Sequence, residues 1–151
     1  MIEIKKVSEE GLQFLSIEEG MVLHPYRDIS GIPTIGIGCT YYEDGSKVKM
    51  TDGPITKERA YELFENVLNH YEFSVYSLSR DDINQNQFNA LVSLCYNIGV
   101  TGFKGSTVLR LVNKNPNNKL ISAAFEMWKR SGNNPNALLQ RRIREAKLYF
   151  S

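Results

Sequence analysis

The sequence predicts an α+β fold that is mainly α, and two observations carry that prediction. Up to about residue 55, short segments broken by glycine, proline and Asp-Gly follow a period of two, the mark of strands and tight turns. From Thr56 onward apolar residues recur every three to four positions, the helical period, and one such stripe from Ala60 to Val75 is long enough to be a spine. The expected organisation is a sheet-bearing N-terminal part at about 17–55, a connecting helix at about 56–79 and a helical part at about 80–151, with a first helix at about 8–19. A chain of 151 residues can bury a real core as one domain, or as two lobes sharing that connecting helix.

Each element has a local cause. Ser8 caps the first helix, Glu9 and Glu10 suit its positive end, and Gly20 stops it. The chain then makes a tight antiparallel excursion, turning at Ile29-Ser30-Gly31 and extending from Pro33 to Gly38. Strand alternation would place Thr34, Gly36 and Gly38 on one face and Ile35 and Ile37 on the other, leaving a bare glycine surface suited to a flat polymer. Asp44-Gly45 is a hairpin signal, with Lys47 to Met50 as the returning strand of a sheet of two or three strands. Thr56 caps the connecting helix, whose stripe is Ala60, Leu63, Phe64, Val67, Leu68, Tyr71 and Val75. Asn84 and Gln87 form a capping box before Phe88, Leu91, Val92, Cys95 and Ile98, the most buried helix expected, which ends at Gly99. Ser106-Thr107 starts another helix. Ile121, Ala124, Phe125 and Trp128 form a further stripe, Trp128 fitting a core position better than a sugar platform. Leu139, Ile143, Ala146 and Phe150 line the last helix.

Composition narrows the function classes. A net charge of +1 gives no support for bulk nucleic-acid affinity or electrostatic steering. Cys39 and Cys95 are the only cysteines, without metal-ligand spacing, and Cys95 reads as a small buried apolar side chain. No run approaches a transmembrane length, and the start MIEIKKVSEEG has no signal-peptide core, so the chain is expected in the cytosol.

Glu19 closes the first helix, Asp28 precedes the turn and Thr34 opens the glycine strand. Two carboxyls flanking one bond are what glycoside hydrolysis needs, one to protonate the leaving oxygen and one to serve water or the sugar cation. Equally, Glu19 could be a solvated helix acid and Asp28 a turn former.

Further pattern decides between these readings. Glu19-Gly20, Tyr26-x-Asp28, Gly31 and Thr34-Ile35-Gly36-x-Gly38 together resemble the phage-type lysozymes, or endolysins, of glycoside hydrolase family 24, with Glu19, Asp28 and Thr34 at the family's spacing. A second block, with Asn97, Gly99, Phe103, Ser106 and Thr107, continues the likeness, as does the closing Gln140-Arg141-Arg142 element. The resemblance implies a lysozyme-like fold in which a long helix joins a small N-terminal lobe with a short antiparallel sheet to a C-terminal helical lobe, the first helix packing at the cleft. It implies an inverting muramidase acting on peptidoglycan glycan between N-acetylmuramic acid and N-acetylglucosamine. Glu19 is its general acid, and Asp28 and Thr34 position water. Gly36, Gly38, Phe103, Ser106, Gln140 and Arg141 are expected at the sugar, Arg141 also orienting Glu19.

A cation near Glu19 would favour its ionised form, whereas an acid catalyst must carry its proton, so apolar covering and bound substrate are expected to outweigh Arg141. No metal or cofactor is called for. The expected protein is a monomer without nucleic-acid or stable membrane partners, held in the host cytoplasm until a separate hole-forming protein releases it to the periplasmic wall. Cys39 stands where family members commonly carry His, which removes an ion pair some of them form. The competing classes are a silent peptidoglycan-binding or phage structural module, a lytic transglycosylase, and a nucleic-acid binder built on Arg141, Arg142 and Arg144.

Overall fold

The computed structural model describes residues 3–151; Met1 and Ile2, with which the start of the chain was read as lacking a signal core, lie outside the described residues. The elements are α1 (Glu9–Glu19), β1 (Val22–Arg27), β2 (Pro33–Gly36), α2 (Lys57–Leu78), α3 (Gln85–Ile98), α4 (Val100–Lys104), α5 (Thr107–Lys114), α6 (Ile121–Glu126) and α7 (Leu139–Tyr149). This is the mainly helical α+β arrangement the periodicity predicts. The chain divides into two compact units, Leu12–Asn69 and Met1–Gly11 with His70–Ser151, so α1 and α2 each run from one unit into the other.

In the unit Leu12–Asn69, β1 and β2 pair antiparallel with Val22 opposite Gly36, Tyr26 opposite Thr34 and Arg27 opposite Pro33, and with an irregularity between Val22 and Tyr26. One expectation fails here. The extended stretch ends at Gly36, because Gly36 and Gly38 take φ of +68° and +67° and turn the chain so that Cys39 pairs back with Ile35. Thr34, Gly36 and Gly38 therefore do not share an open face. Thr34 and Gly36 are buried, and a Cβ on Gly36 would lie 3.5 Å from that of Ala60. The returning segment forms a single bridge, Tyr41 opposite Lys47, with the Tyr42 N–H on the Ser46 carbonyl and the Val48 N–H on the Thr40 carbonyl, around the expected turn at Asp44-Gly45.

Ile35, Cys39, Val48 and Leu63 form the core of this unit, with Tyr42, Ile55 and Val67 packed against it. Burial in that core pushes the Cys39 thiol up to about 11, leaving it neutral and unreactive. On the outer side Arg59 grips both oxygens of Glu43 at 2.5 and 2.8 Å, and the Tyr42 hydroxyl donates to Asp52 at 2.6 Å. These contacts fasten the hairpin to the start of α2, which Thr56 caps through the Arg59 N–H.

The unit of residues 70–151 with the N-terminal arm is built on α3, which packs against α7. The capping box is present in full: Asn84 accepts the Gln87 N–H and Gln87 accepts the Asn84 N–H, both at 2.8 Å. Nine residues of α3 are buried, Asn89 and Ser93 among them, and each polar one has a specific partner. Asn89 holds Ser8 through its N–H and its hydroxyl, and Gly11 is required beside it because a Cβ there would come within 2.7 Å of the Asn89 side chain. Glu72, 3% exposed, accepts the Val7 N–H at 2.8 Å and pins the arm to α2. The short α4 is the one helix that the period did not announce.

Candidate active site

The segment from Arg27 to Thr34 is a closed circuit of backbone and side chain. Asp28 Oδ1 accepts the N–H of Ser30 at 2.8 Å and of Ile32 at 2.9 Å, while the Asp28 N–H donates to the Ile32 carbonyl at 3.0 Å. Gly31, at φ +82°, donates to the Asp28 carbonyl and receives the Arg27 guanidinium on its own carbonyl at 3.0 Å. The Asp side chain bonding to backbone two residues on is the reason Asp suits this turn. It also fixes the carboxylate, with Oδ1 engaged in the turn.

Thr34 enters through the same peptide groups. Its hydroxyl donates to the Ile32 carbonyl at 2.8 Å, so its proton is committed and the oxygen retains acceptor capacity. Ile32 thus ties Asp28 and Thr34 together, its N–H on one and its carbonyl on both. Register does the rest, since Thr34 faces Tyr26 across the sheet and Asp28 follows the last strand residue, Arg27. Glu19, half-buried, ends α1 three residues before Val22 opens β1, so the two carboxyl residues bracket that strand. Gly20 makes the bracket possible, stopping the helix at φ +83° with its N–H on the Ser16 carbonyl. All three candidates belong to one unit. Thr34 is 2% exposed, more enclosed than an open ribbon would leave it.

The residues expected to line the sugar fare unevenly. Gly38 is exposed, and so is Gln140. Phe103 is fully buried, and Ser106, 5% exposed, caps α5 by accepting the Leu109 N–H and donating to the Phe103 carbonyl. Both side chains are enclosed, and that of Ser106 is engaged in the cap. Arg141 is 7% exposed and lies in a buried network, its guanidinium on Glu145 at 3.2 Å and within 3.5 Å of the Ser93 carbonyl.

That network is what the sequence reading missed. Glu145 is entirely buried and also takes Arg142 and, at 2.5 Å, the Ser93 hydroxyl. Arg142, likewise buried, donates to the Trp128 carbonyl at 2.9 Å and to the Asn97 side chain. Two of the three arginines proposed for a nucleic-acid surface are therefore interior, and Asn97 of the second motif is a partner in the core. The i,i+3 and i,i+4 spacing of Arg142 and Arg141 to Glu145 was the available signal. Trp128 is only half-buried rather than enclosed in the core, with its ring 3.1 Å from where a Gly102 Cβ would lie. Among the described residues no cluster of His, Cys, Asp or Glu could hold a metal, and no helix is long and apolar enough to cross a membrane.

Comparison with known proteins agrees with this layout. Residues 16–145 match the Phage lysozyme family. The chain is 44% identical over 146 residues to the endolysin of Salmonella phage P22, covering 97% of this chain and 99% of that one. A crystal structure of a P22 lysozyme mutant superposes with a TM-score of 0.90 at 42% identity, over the full length of both chains. The muramidase domain of SpmX from Asticcacaulis excentricus gives 0.78 at 28% identity, over 97% and 98% of the two chains. With the family match spanning most of its length and relatives this similar in sequence and fold, the chain belongs to the phage lysozyme family.

Proposed function

We propose that this protein hydrolyses the β-1,4 bond between N-acetylmuramic acid and N-acetylglucosamine in peptidoglycan, with Glu19 as general acid and Asp28 and Thr34 as the water-holding pair. The observation that carries this reading is the shared Ile32 peptide. Because the Thr34 hydroxyl gives its proton to the Ile32 carbonyl, it meets a water only as an acceptor, and the Asp28 carboxylate is an acceptor as well. A water donating one proton to each has its lone pair left for the anomeric carbon. The burial of Thr34 limits what reaches that oxygen to something of about water's size.

The reaction then balances simply. Glu19 gives its proton to the glycosidic oxygen as the C–O bond breaks, the water attacks the opposite face, and Asp28 takes the water's proton. The sugar is released with its anomeric configuration inverted. Gly38, exposed in the reversal that follows β2, offers backbone that a sugar ring can approach.

Replacing Glu19 with Gln should abolish release of reducing ends from purified walls while leaving the fold intact; substantial residual cleavage would remove Glu19 from the acid role. Thr34→Ser should retain most activity and Thr34→Val lose it. Proton NMR of the first products distinguishes the inverted anomer from retention, and mass spectrometry showing an anhydro sugar would replace hydrolysis by transglycosylation.

A further inference from the structure

The two arms of the hairpin around Asp44-Gly45 meet through one cross-strand pair, Tyr41 and Lys47. Because the flanking residues carry the bonds, Tyr42 to Ser46 and Val48 to Thr40, this is a non-hydrogen-bonded pair, the kind that brings opposite side chains closest and onto one face. Beside it lies a cavity of about 390 Å³ lined by Ile32, Pro33, Thr40, Tyr41, Lys47 and Val48, all of the unit Leu12–Asn69. Sites for small organic ligands run from about 300 to 1,000 Å³, so this one suits a short branch rather than a chain.

The lining is mostly apolar and carries one charge. Ile32 and Tyr41 are 48% and 51% exposed, while Val48 joins the lining to the core of the unit. Thr40 adds a hydroxyl and Lys47 an exposed ammonium. The acids of the hairpin are engaged elsewhere: Glu43 by Arg59, Asp44 by the Ser46 N–H and hydroxyl, and Asp52 by the Tyr42 hydroxyl and the Lys49 N–H. Ile32 also belongs to the candidate active site, since its N–H is on Asp28 and its carbonyl accepts the Thr34 hydroxyl. The cavity and the water-holding pair therefore share one residue.

We propose that this cavity receives the lactyl-peptide branch of an N-acetylmuramic acid residue, its methyl groups against Ile32, Pro33 and Val48 and its glutamyl carboxylate on Lys47. The proposal rests on the reading of peptidoglycan as substrate, and adds a means of telling muramic acid from glucosamine. An N-acetylglucosamine ring brings hydroxyls and an acetamido group, which leave an apolar wall and a cation without partners. The branch brings both complements in the right order, small lactyl and alanyl methyls first and a carboxylate next. A lone ammonium is a point charge suited to one such carboxylate.

The test compares uncross-linked glycan strands bearing L-alanyl-D-glutamyl branches with strands whose glutamyl carboxylate is amidated. The parent should favour the free carboxylate roughly fivefold in kcat/KM, through KM. Lys47→Gln should erase that preference and Lys47→Arg keep it, while Tyr41→Ala should raise KM on both strands. Lys49→Gln, one charge fewer on the same hairpin but outside the lining, should retain the preference. An indifferent parent, a preference that survives Lys47→Gln, or one lost equally in Lys49→Gln would each overturn the proposal. Binding is read separately from cleavage by amide NMR of the parent. N-acetylmuramyl-L-alanyl-D-glutamate should move the signals of Ile32, Thr40, Tyr41, Lys47 and Val48, and an N-acetylglucosamine oligomer should leave them in place; the reverse result would overturn the proposal. Should those signals move as expected while no strand is cut, the hydrolase reading falls and the branch site stands.

Discussion

The two units differ in where their most tightly held charges lie. Residues 12–69 hold surface ion pairs, Arg59 with Glu43 and Glu62, and a hydrogen bond from the Tyr42 hydroxyl to Asp52, all around a short hairpin over a small apolar core. Residues 70–151 place Arg141, Arg142 and Glu145 inside, between α3 and the Trp128 turn, where every polar atom must be matched. Exposed pairs exchange water for one another at little gain, whereas a buried pair is costly to break because the survivor is left charged and alone. The hairpin of residues 12–69 is thus fastened in part by weak, replaceable contacts, whereas the other unit, which also has an exposed pair in Arg80 and Asp82, adds a buried network that cannot be dismantled singly.

The largest test of that contrast is Glu145→Ala. It takes the carboxylate away from two buried arginines and should cost about 3–5 kcal/mol in chemical denaturation. A loss below about 1 kcal/mol would show that the network is dispensable. Next, Gly36→Ala forces a side chain into a left-handed backbone position and should cost about 1–2 kcal/mol, without disturbing Ala60 beyond ordinary contact. Smaller still is Arg59→Gln, expected at about 0.2–1 kcal/mol and vanishing in high salt; a loss as large as that of Glu145→Ala would erase the distinction between the units.

The smallest effect is local and acidic. The Tyr42 hydroxyl bond, then the Lys49 N–H, holds the Asp52 carboxyl below its ordinary value, and Arg59 does the same for Glu43. A depressed folded-state pKa contributes stability that is complete above the unfolded value and is lost as pH falls through the folded one, so the hairpin should loosen below about pH 4. Amide exchange across residues 40–52 should rise there in the parent, and in Asp52→Asn it should already be raised at neutral pH. The Tyr42 phenol, pushed up to about 12 by burial and by Asp52, stays protonated throughout and keeps donating.

What the sequence revealed, and what it hid, follows the range of the interactions. The local settings of Glu19, Asp28 and Thr34 were readable because a helix stop, an Asp turn and a strand start are each set within a few residues; their chemical roles were suggested only by the resemblance. The capping box at Asn84 and the stripe on α2 were readable for the same reason. The end of β2 was not, since the alternation of Ile35 and Ile37 looks like a continuing strand and only the positive φ of two glycines reverses it. Nor was the burial of Arg141 and Arg142. The spacing to Glu145 signals the pairing but not its burial, because the further partners Ser93 and Asn97 lie more than forty residues away on α3, a distance at which no periodicity reports. A run of like charges that reads as a wet face becomes an interior when the opposite helix brings acceptors to meet it.

The circuit around Ile32 carries one consequence for how this turn can vary. Its bonds involve main-chain groups and the carboxylate, while the Ile29 side chain is fully exposed and touches nothing that closes the loop. The identities of residues 29 and 30 are therefore free to drift, and their number is not. One inserted residue would unseat the amide that steadies the aspartate and the carbonyl that orients the threonine together, so relatives should differ here in spelling and never in length.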